Sequence, residues 1–374
     1  MIEQLIRISR YYGKLKGYAL GGGGNTSFKT EDTLWVKASG YQLADISEDC
    51  FAVLNRGLLR NISFRQYSSD PFEREREVKD DLISSNIFPD RKLRPSVEAS
   101  LHDLIEYAYV VHTHPFVVNA LTCSRNARVI IHKLFPDDTL FVPYVDPGYI
   151  LFKRIERELV NYKKVHKRHP RIIFLQNHGV FVSAGQVNEI KSIYEMIFTR
   201  IRKLIRNELK ITAKSFRYDR MADLIHIFRQ LNDDGALAYK TRNNSMVSYF
   251  TSGLVHAGLI ANPFIPDQIV YCRTHPHWLR ASEKSDLKKI ETKLRRYKQD
   301  NGFLPRIVLI ENEGMMGFEI SEQSAGLVLD VFEDAMKIAY YSMNFGGPHF
   351  MTHRQISFIE SWEVENYRRN LLVK

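Results

Sequence analysis

Long apolar runs are what this sequence most plainly lacks. No stretch reaches about 18 consecutive apolar residues, so no membrane-spanning helix is expected. The N-terminus, MIEQLIRISRYYGKLKGYALGGGG, has neither a long apolar h-region nor a small-residue cleavage site, so no secretory leader is expected. Cysteine is scarce: Cys50, Cys123 and Cys272 are too few and too scattered for a disulfide framework, which points to a reducing, cytoplasmic compartment. With 20 Gly and 13 Pro in 374 residues, a low-complexity or disordered chain is disfavoured. Two phosphate-binding signatures are missing as well. No GxxxxGK[ST] loop is present, and no GxGxxG follows a strand.

What is present is ample core material, 44% hydrophobic and 12% aromatic, in a length that favours two domains. The net charge of +10 invites a nucleic-acid reading, but its distribution weakens it. Lys153 to Arg220 holds 17 basic and 6 acidic residues, a local +11, while the rest sums to about −1. No reader motif accompanies the basic block and aromatic interleaving there is sparse, so nucleic acid is not an expected partner.

Along the chain, Ile2 to about Tyr18 has helical apolar spacing and ends in the glycines Gly21 to Gly24, followed by Asn25, Thr26 and Ser27. Thr33 to Lys37 reads as a strand delivering a turn at Ala38-Ser39-Gly40. The charged stretch from Arg65 to Arg94 is expected to be an exposed excursion. A helix over Glu98 to Glu106 leads to a strand at Tyr109 to Val111, which ends at His112-Thr113-His114-Pro115. A second strand, Arg171 to Gln176, runs into Asn177-His178-Gly179, Val180 to Val182 continues it, and an amphipathic helix spans Val187 to Lys210. Composition shifts at Asn232-Asp233-Asp234-Gly235 and Arg242 to Ser245 suggest domains at 1–230 and 245–374. In the second, Ile269 to Cys272 and Arg306 to Ile310 read as strands, and Ser282 to Gln299 and Gln323 to Met343 as helices. Such alternation predicts α/β packing. No internal repeat is evident.

His112, His114 and His178 each sit where an apparent strand ends. Three neutral imidazoles in such positions match a metal shell with an open position, although His-x-His also arises by chance. Glu98, one helical turn before His102, reads either as a base beside the metal or as a first-turn glutamate favouring the positive helix end. The run Gly21 to Gly24 and Asn25, with Thr26 and Ser27, offers a polar cradle for an anion or ordinary tight turns. Lys37, Ser39 and Gly40 form a second polar turn, and Ser96 adds a small donor near Glu98. His275-Pro276-His277 reads either as part of a second metal site, for which no fourth ligand is obvious, or as a polar loop, and His349, His166 and His169 have the same two readings.

The motifs Gly-Asn25-Thr-Ser27, Lys37-Ala-Ser39-Gly40, Glu98-x-x-x-His102, His112-x-His114-Pro115 and Asn177-His178-Gly179, in this order, resemble the class II aldolase/adducin family. LWVKASG, RPSVEASLH and VVHTHP are similar to the aldolase part of bifunctional rhamnulose-phosphate aldolase/short-chain dehydrogenase proteins. The likeness continues through Pro266-Asp267-Gln268, Leu309 to Met315 and Glu360 to Arg369. The resemblance implies an α/β fold, a class II aldolase-like three-layer domain with a second, smaller α/β domain. It implies Zn2+, or another divalent cation such as Mn2+, on His112, His114 and His178, with Glu98 as acid/base. It also implies phosphate held at Asn25, Ser39, Gly40 and Ser96, although Val97 replaces the second serine of the common Ser-Ser-Glu pattern.

The reaction so implied is reversible cleavage of a ketose 1-phosphate, of rhamnulose or fuculose type, to dihydroxyacetone phosphate and an aldehyde. Tyr144 is a candidate for protonating the aldehyde oxygen. Alternatives on the same site are a pentulose-phosphate 4-epimerase and a sugar-acid-phosphate decarboxylase. A non-catalytic adducin-like scaffold is a third, disfavoured by the retained histidines and Glu98. A homo-oligomer, such as a tetramer, is expected. The chain stops about where the dinucleotide domain of those fusions would begin, so a dehydrogenase would be a separately encoded partner.

Overall fold

Seven short segments rich in β-branched and aromatic residues pair into one sheet: β1 (Asn25–Lys29), β2 (Thr33–Lys37), β3 (Phe51–Asn55), β4 (Tyr109–Thr113), β5 (Thr139–Val142), β6 (Ile172–Leu175) and β7 (Gly179–Ala184). The computed structural model from which this is drawn describes residues 1–233 and 235–362. Asp234 of the expected domain junction and Glu363 to Arg369 of the late family-like segment thus lie outside the described residues. The spatial order is β3-β2-β1-β4-β7-β6-β5, antiparallel except for the β5–β6 pair.

Side-chain alternation along the strands builds the two outer layers. Tyr109 and Val111 of β4 face the helices Ile2–Lys14 and Val187–Arg202, which contribute Leu5, Ile8, Tyr194 and Ile197. Val110, between them, faces Leu101, Ile155 and Leu159 of the helices Ala99–Leu104 and Tyr149–His166. Each fully buried side chain of this size contributes roughly 1.5–3 kcal/mol to folding. Asn25 lies opposite His112 in the β1–β4 register, so strand pairing brings the glycine run to the end of β4 where the histidines emerge.

The rest of the described chain forms a smaller sheet: β8 (Ala238–Arg242), β9 (His277–Leu279), β10 (Ile307–Ile310) and β11 (Gly314–Glu319), in the order β8-β11-β10-β9. The helix Glu322–Ser342 covers one face, with Phe332 and Met336 in its core, and the helices Met221–Leu231 and Leu287–Asn301 cover the other. The fold is therefore a three-layer α/β domain with a second, smaller α/β body.

Four expectations change. The stretch expected as an exposed excursion contains a helix, Pro71–Ser84, started by Asp70 accepting from the amides of Phe72 and Glu73 at 3.0 and 2.9 Å and anchored by buried Val78 and Leu82. The helix expected to reach Lys210 ends at Arg202. Ile269 to Cys272, expected as a strand for its β-branched run, lies in the helix Pro266–Cys272, because all seven of its residues are buried against other helices. Met221–Leu231, expected in the first domain, packs Leu224 and Phe228 against the second sheet.

The fifth difference is an internal repeat. β8-β11-β10-β9 has the same order and the same strand directions as β4-β7-β6-β5. In both units one long helix joins the parallel pair, and a three-residue turn joins the next two strands before another helix. Pro170-Arg171-Ile172 recurs as Pro305-Arg306-Ile307, and Asn177-His178-Gly179 as Asn312-Glu313-Gly314. Both asparagines are left-handed, with φ of 53° and 65°. The register pairs His112 with Phe181 and Thr241 with Met316, each two residues past its glycine, so Thr241, Asn243 and Glu313 correspond to His112, His114 and His178. The glycine surroundings agree. A Cβ on Gly179 would meet the Thr113 carbonyl at 2.5 Å, and one on Gly314 the Arg242 carbonyl at 2.7 Å. In the second unit the turn carries an ion pair instead, Glu313 to Lys284 at 2.5 Å.

Candidate metal centre

His112 occupies the penultimate position of β4, fully buried, with its ring stacked on Phe181 at 4.0 Å. Its Nδ1 is 3.1 Å from the Val180 carbonyl, which can only accept, so Nδ1 carries the proton and Nε2 is bare. His114, just past the strand, has Nδ1 at 2.5 Å from a carboxylate oxygen of Asp267, so Nδ1 is the donor there and Nε2 points away from Asp267. The Nε2 atoms of the two rings face one another at 3.0 Å, a pairing that a shared proton or a shared cation satisfies. His178 comes from the β6–β7 turn, where Asn177 is held by Phe264 and His349: its Nδ2 donates to their carbonyls at 2.9 and 2.8 Å. The three rings gather ligand atoms within 4.8 Å of one another, so the cluster can coordinate a divalent ion. Burial holds the His112 imidazole well below its ordinary pKa. It pushes that of His178 down to about 3 against the opposing pull of Glu98, so both are neutral donors at neutral pH.

Glu98 stands at the N-terminal boundary of the helix Ala99–Leu104 with no capping bond from its side chain. Its first-turn location does not engage the carboxylate with the helix; a chain of polar contacts turns it to the histidines. Ser27 Oγ meets His102 Nδ1 at 2.7 Å, His102 Nε2 bonds Asn25 Oδ1, and Asn25 Nδ2 donates to Glu98 Oε2 at 2.6 Å. Burial keeps the His102 imidazole far below its usual range, consistent with a neutral link. Glu98 Oε1 is left buried with no hydrogen-bond partner among the described residues, 3.5 Å from His112 Nε2 and 3.6 Å from His178 Nε2. A buried, unpartnered carboxylate oxygen beside bare imidazole nitrogens fits a metal ion or a substrate proton.

A cleft of about 620 Å³, open to solvent, lies over this cluster and is lined by Gly22, Gly24, Asn25, Lys37, Ser39, Gly40, Ser96, Val97, Glu98, His114 and His178. Gly24 adopts φ +70° with its Cβ position 2.9 Å from the His112 carbonyl, so the close approach excludes a side chain. Lys37 donates from Nζ to the carbonyls of Tyr41 (2.7 Å) and Gly22 (3.1 Å), tying the two polar turns together.

Residues 3–202, more than half of the chain, match the class II aldolase and adducin N-terminal domain. This chain belongs to the class II aldolase and adducin family. A relative from Bacillus subtilis (strain 168), the uncharacterized oxidoreductase YuxG, is 29% identical over 197 residues, 50% of this chain and 27% of that protein. The class II aldolase chain thus spans about a quarter of the length of that curated relative. Among solved structures, the N-terminal class II aldolase domain of a conserved Thermoplasma acidophilum protein is 25% identical, with 55% of this chain and 93% of that one covered at a TM-score of 0.47. The L-fuculose-1-phosphate aldolase of Thermus thermophilus is 15% identical, covering 55% and 95% at 0.35.

Three expected site residues of this aldolase-family chain do not line the cleft: His112, which is fully buried but belongs to the histidine cluster, Ser27 and Tyr144. Ser27 is fully buried against His102, two residues along β1 from Asn25. Tyr144 packs against the core of the second body. Its hydroxyl is buried without a partner among the described residues, and burial raises its pKa further from that of a useful acid. The basic block also lies elsewhere. Lys163 pairs with Glu106 at 2.7 Å and Arg168 with Asp138 at 2.8 Å, and none of its Lys or Arg residues lines the cleft. His275 and His277 take no part in the cluster, whereas His349, expected as a ligand or a loop residue, braces Asn177 through Nδ1 at 2.9 Å. Pro147, Pro266, Asp267 and Trp362 line the cleft without having been singled out for it. Pro266 and Asp267 had a signal, their place in the family-like Pro266-Asp267-Gln268. No described helix is long and apolar enough to cross a membrane.

Proposed function

We propose that this chain is a metal-dependent aldolase that reversibly cleaves a ketose 1-phosphate to dihydroxyacetone phosphate and an aldehyde. The observation that carries the reading is Glu98 Oε1, unpartnered and buried, aimed at the open side of three convergent imidazoles. His112, His114 and His178 would hold the ion, Zn2+ or Mn2+, which when bound supplies Lewis-acid stabilisation of charge developing on the substrate carbonyl oxygen. Glu98 takes and returns the proton at the carbon where the bond is cut and re-formed. Asn25, itself fixed by His102, restrains Glu98 through Oε2 and leaves Oε1 for the proton. Ser39, Gly40 and Ser96 offer donors to a phosphate, with the cationic Lys37 beside them, and Val97 makes one wall of that subsite apolar. Since Tyr144 lies away from the cleft, the acid for the aldehyde oxygen is better sought in solvent.

The test is release of dihydroxyacetone phosphate from rhamnulose and fuculose 1-phosphates by metal-stripped and Zn2+- or Mn2+-reloaded protein. Cleavage only after reloading supports the proposal, and full cleavage by stripped protein overturns it. Interconversion of pentulose phosphates, carbon dioxide release from a sugar-acid phosphate, or no turnover at all would select the epimerase, the decarboxylase or the adducin-like scaffold. The proposal includes a homo-oligomer acting in the cytoplasm, checked by light scattering and fractionation.

A further inference from the structure

We propose that the second body supplies a positioning residue to the metal centre of the first: Asp267 fixes the tautomer and aim of His114, and the glycine run is the seat that lets it reach. The inference rests on the metal-site reading above.

Each of the three imidazoles needs a partner behind it to present a bare nitrogen forward. His112 has one within its own sheet, the Val180 carbonyl. His178 is aimed by a turn whose asparagine is anchored at two points. His114 has no such partner on the first sheet. Its Nδ1 bonds instead to Asp267 Oδ2 at 2.5 Å, with both side chains about one-tenth exposed. Asp267 therefore lies behind the ring, opposite the nitrogen that faces His112 at 3.0 Å, and serves as an orienting carboxylate.

The glycines explain how a residue 153 positions away comes so close. Asp267 and Tyr271 stand four apart on one face of the helix Pro266–Cys272, and the run Gly21 to Gly23 is laid along that face. A Cβ on Gly23 would stand 2.7 Å from Asp267 Oδ2, and one on Gly21 would stand 2.7 Å from the Tyr271 hydroxyl. The Gly22 amide donates to that hydroxyl at 2.8 Å. The run, expected from sequence to be an anion cradle or a set of tight turns, is fitted to a helix of the second body. That body keeps the strand order of the first but carries Thr241, Asn243 and Glu313 where the first has its ligands. Its part in the chemistry is then support of the neighbouring centre.

The experiment measures Zn2+ affinity of the metal-stripped full chain by chelator competition, for the natural protein, Asp267→Ala, Asp267→Asn and Gly23→Ala. Gly23→Ala removes nothing from the site; its Cβ presses most closely on the Asp267 carboxylate, at 2.7 Å, and next on the Leu20 carbonyl, at 3.0 Å. We expect Asp267→Ala and Gly23→Ala to bind Zn2+ about 10–100-fold more weakly. Asp267→Asn, which keeps an acceptor but no charge, should fall between them and the natural protein. The visible bands of the Co2+-loaded protein should shift in Asp267→Ala, since the ring's aim and donor strength change, whereas a loss of stability alone would leave them in place. Should Asp267→Ala fail to fold, Gly23→Ala and Asp267→Asn decide. Natural-strength binding and unshifted bands in the variants overturn the inference while leaving the metal site standing. Absence of Zn2+ binding in the natural protein overturns the metal reading and this inference with it.

Discussion

Asn177 is a point at which one substitution tests the hold of one body on the other. Its amide donates to the carbonyls of Phe264 and His349 at 2.9 and 2.8 Å, and its Oδ1 accepts from His349 Nδ1 at 2.9 Å. All three bonds are made by a residue 1% exposed, in the left-handed conformation at φ 53°. Replacing it with alanine removes three buried bonds at about 1 kcal/mol net each and adds about 1 kcal/mol for a left-handed residue without a local hydrogen bond, roughly 4 kcal/mol in all. Asn177→Gly loses the same bonds but spares the backbone cost, so about 3 kcal/mol is expected. Asn177→Asp puts an acceptor against two carbonyls and should cost at least as much as alanine. Urea unfolding of the metal-free protein measures these losses. Trp35 in β2 and Trp278 in β9 report on the two sheets, and their transitions should separate in the alanine variant. A loss under about 1 kcal/mol in Asn177→Ala would refute the reasoning, because it is less than one such buried bond and the backbone cost together.

Three further outcomes are expected. Glu98→Gln should lower the cleavage rate by about 10²–10⁴-fold while Zn2+ affinity changes far less, read by kcat and chelator competition; an unchanged kcat would remove Glu98 from the chemistry. Tyr144→Phe should leave kcat unchanged and leave stability equal or slightly higher, because the hydroxyl is buried without a partner among the described residues; a large fall in kcat would restore it as the acid. With chelator present, stability should be level from pH 8 to 7 and fall below pH 6.5. His178 is held near 3 in the folded protein and His112 is also lowered, so between those values and 6.5 the unfolded chain binds more protons. The slope approaches about 1.4 kcal/mol per pH unit per histidine, and a shallower profile in His178→Asn checks the assignment. A profile level down to pH 4 would contradict it.

The histidine cluster was legible because its chemistry is written locally: His112-x-His114 and Asn177-His178-Gly179 close strands whose apolar pattern is plain, and pairing does the rest. Asp267 was not legible as a site residue, since its partner is distant in sequence and its helix reads as a strand. Ile269 to Cys272 favours β structure intrinsically, and burial on every side overrides that preference. Pro71–Ser84 was hidden differently, its charged surface outweighing the few residues it buries. The repeat escaped because its two copies share a backbone frame and little chemistry. Only the proline-arginine start and the Asn-x-Gly turn survive, and those are positions where geometry rather than function dictates the residue.

The crossing contacts of Asn177 and Asp267 carry a consequence for how such a protein can be inherited. Residues 3–202 are the recognisable family segment, yet the turn that aims His178 ends on carbonyls of Phe264 and His349, and the ring of His114 leans on Asp267. Moved to another gene without the second body, that segment would lose the contacts that brace His114 and the His178 turn. Substitutions that silence the centre should be found far downstream of it, in a stretch that bears none of the ligands and would otherwise be free to drift.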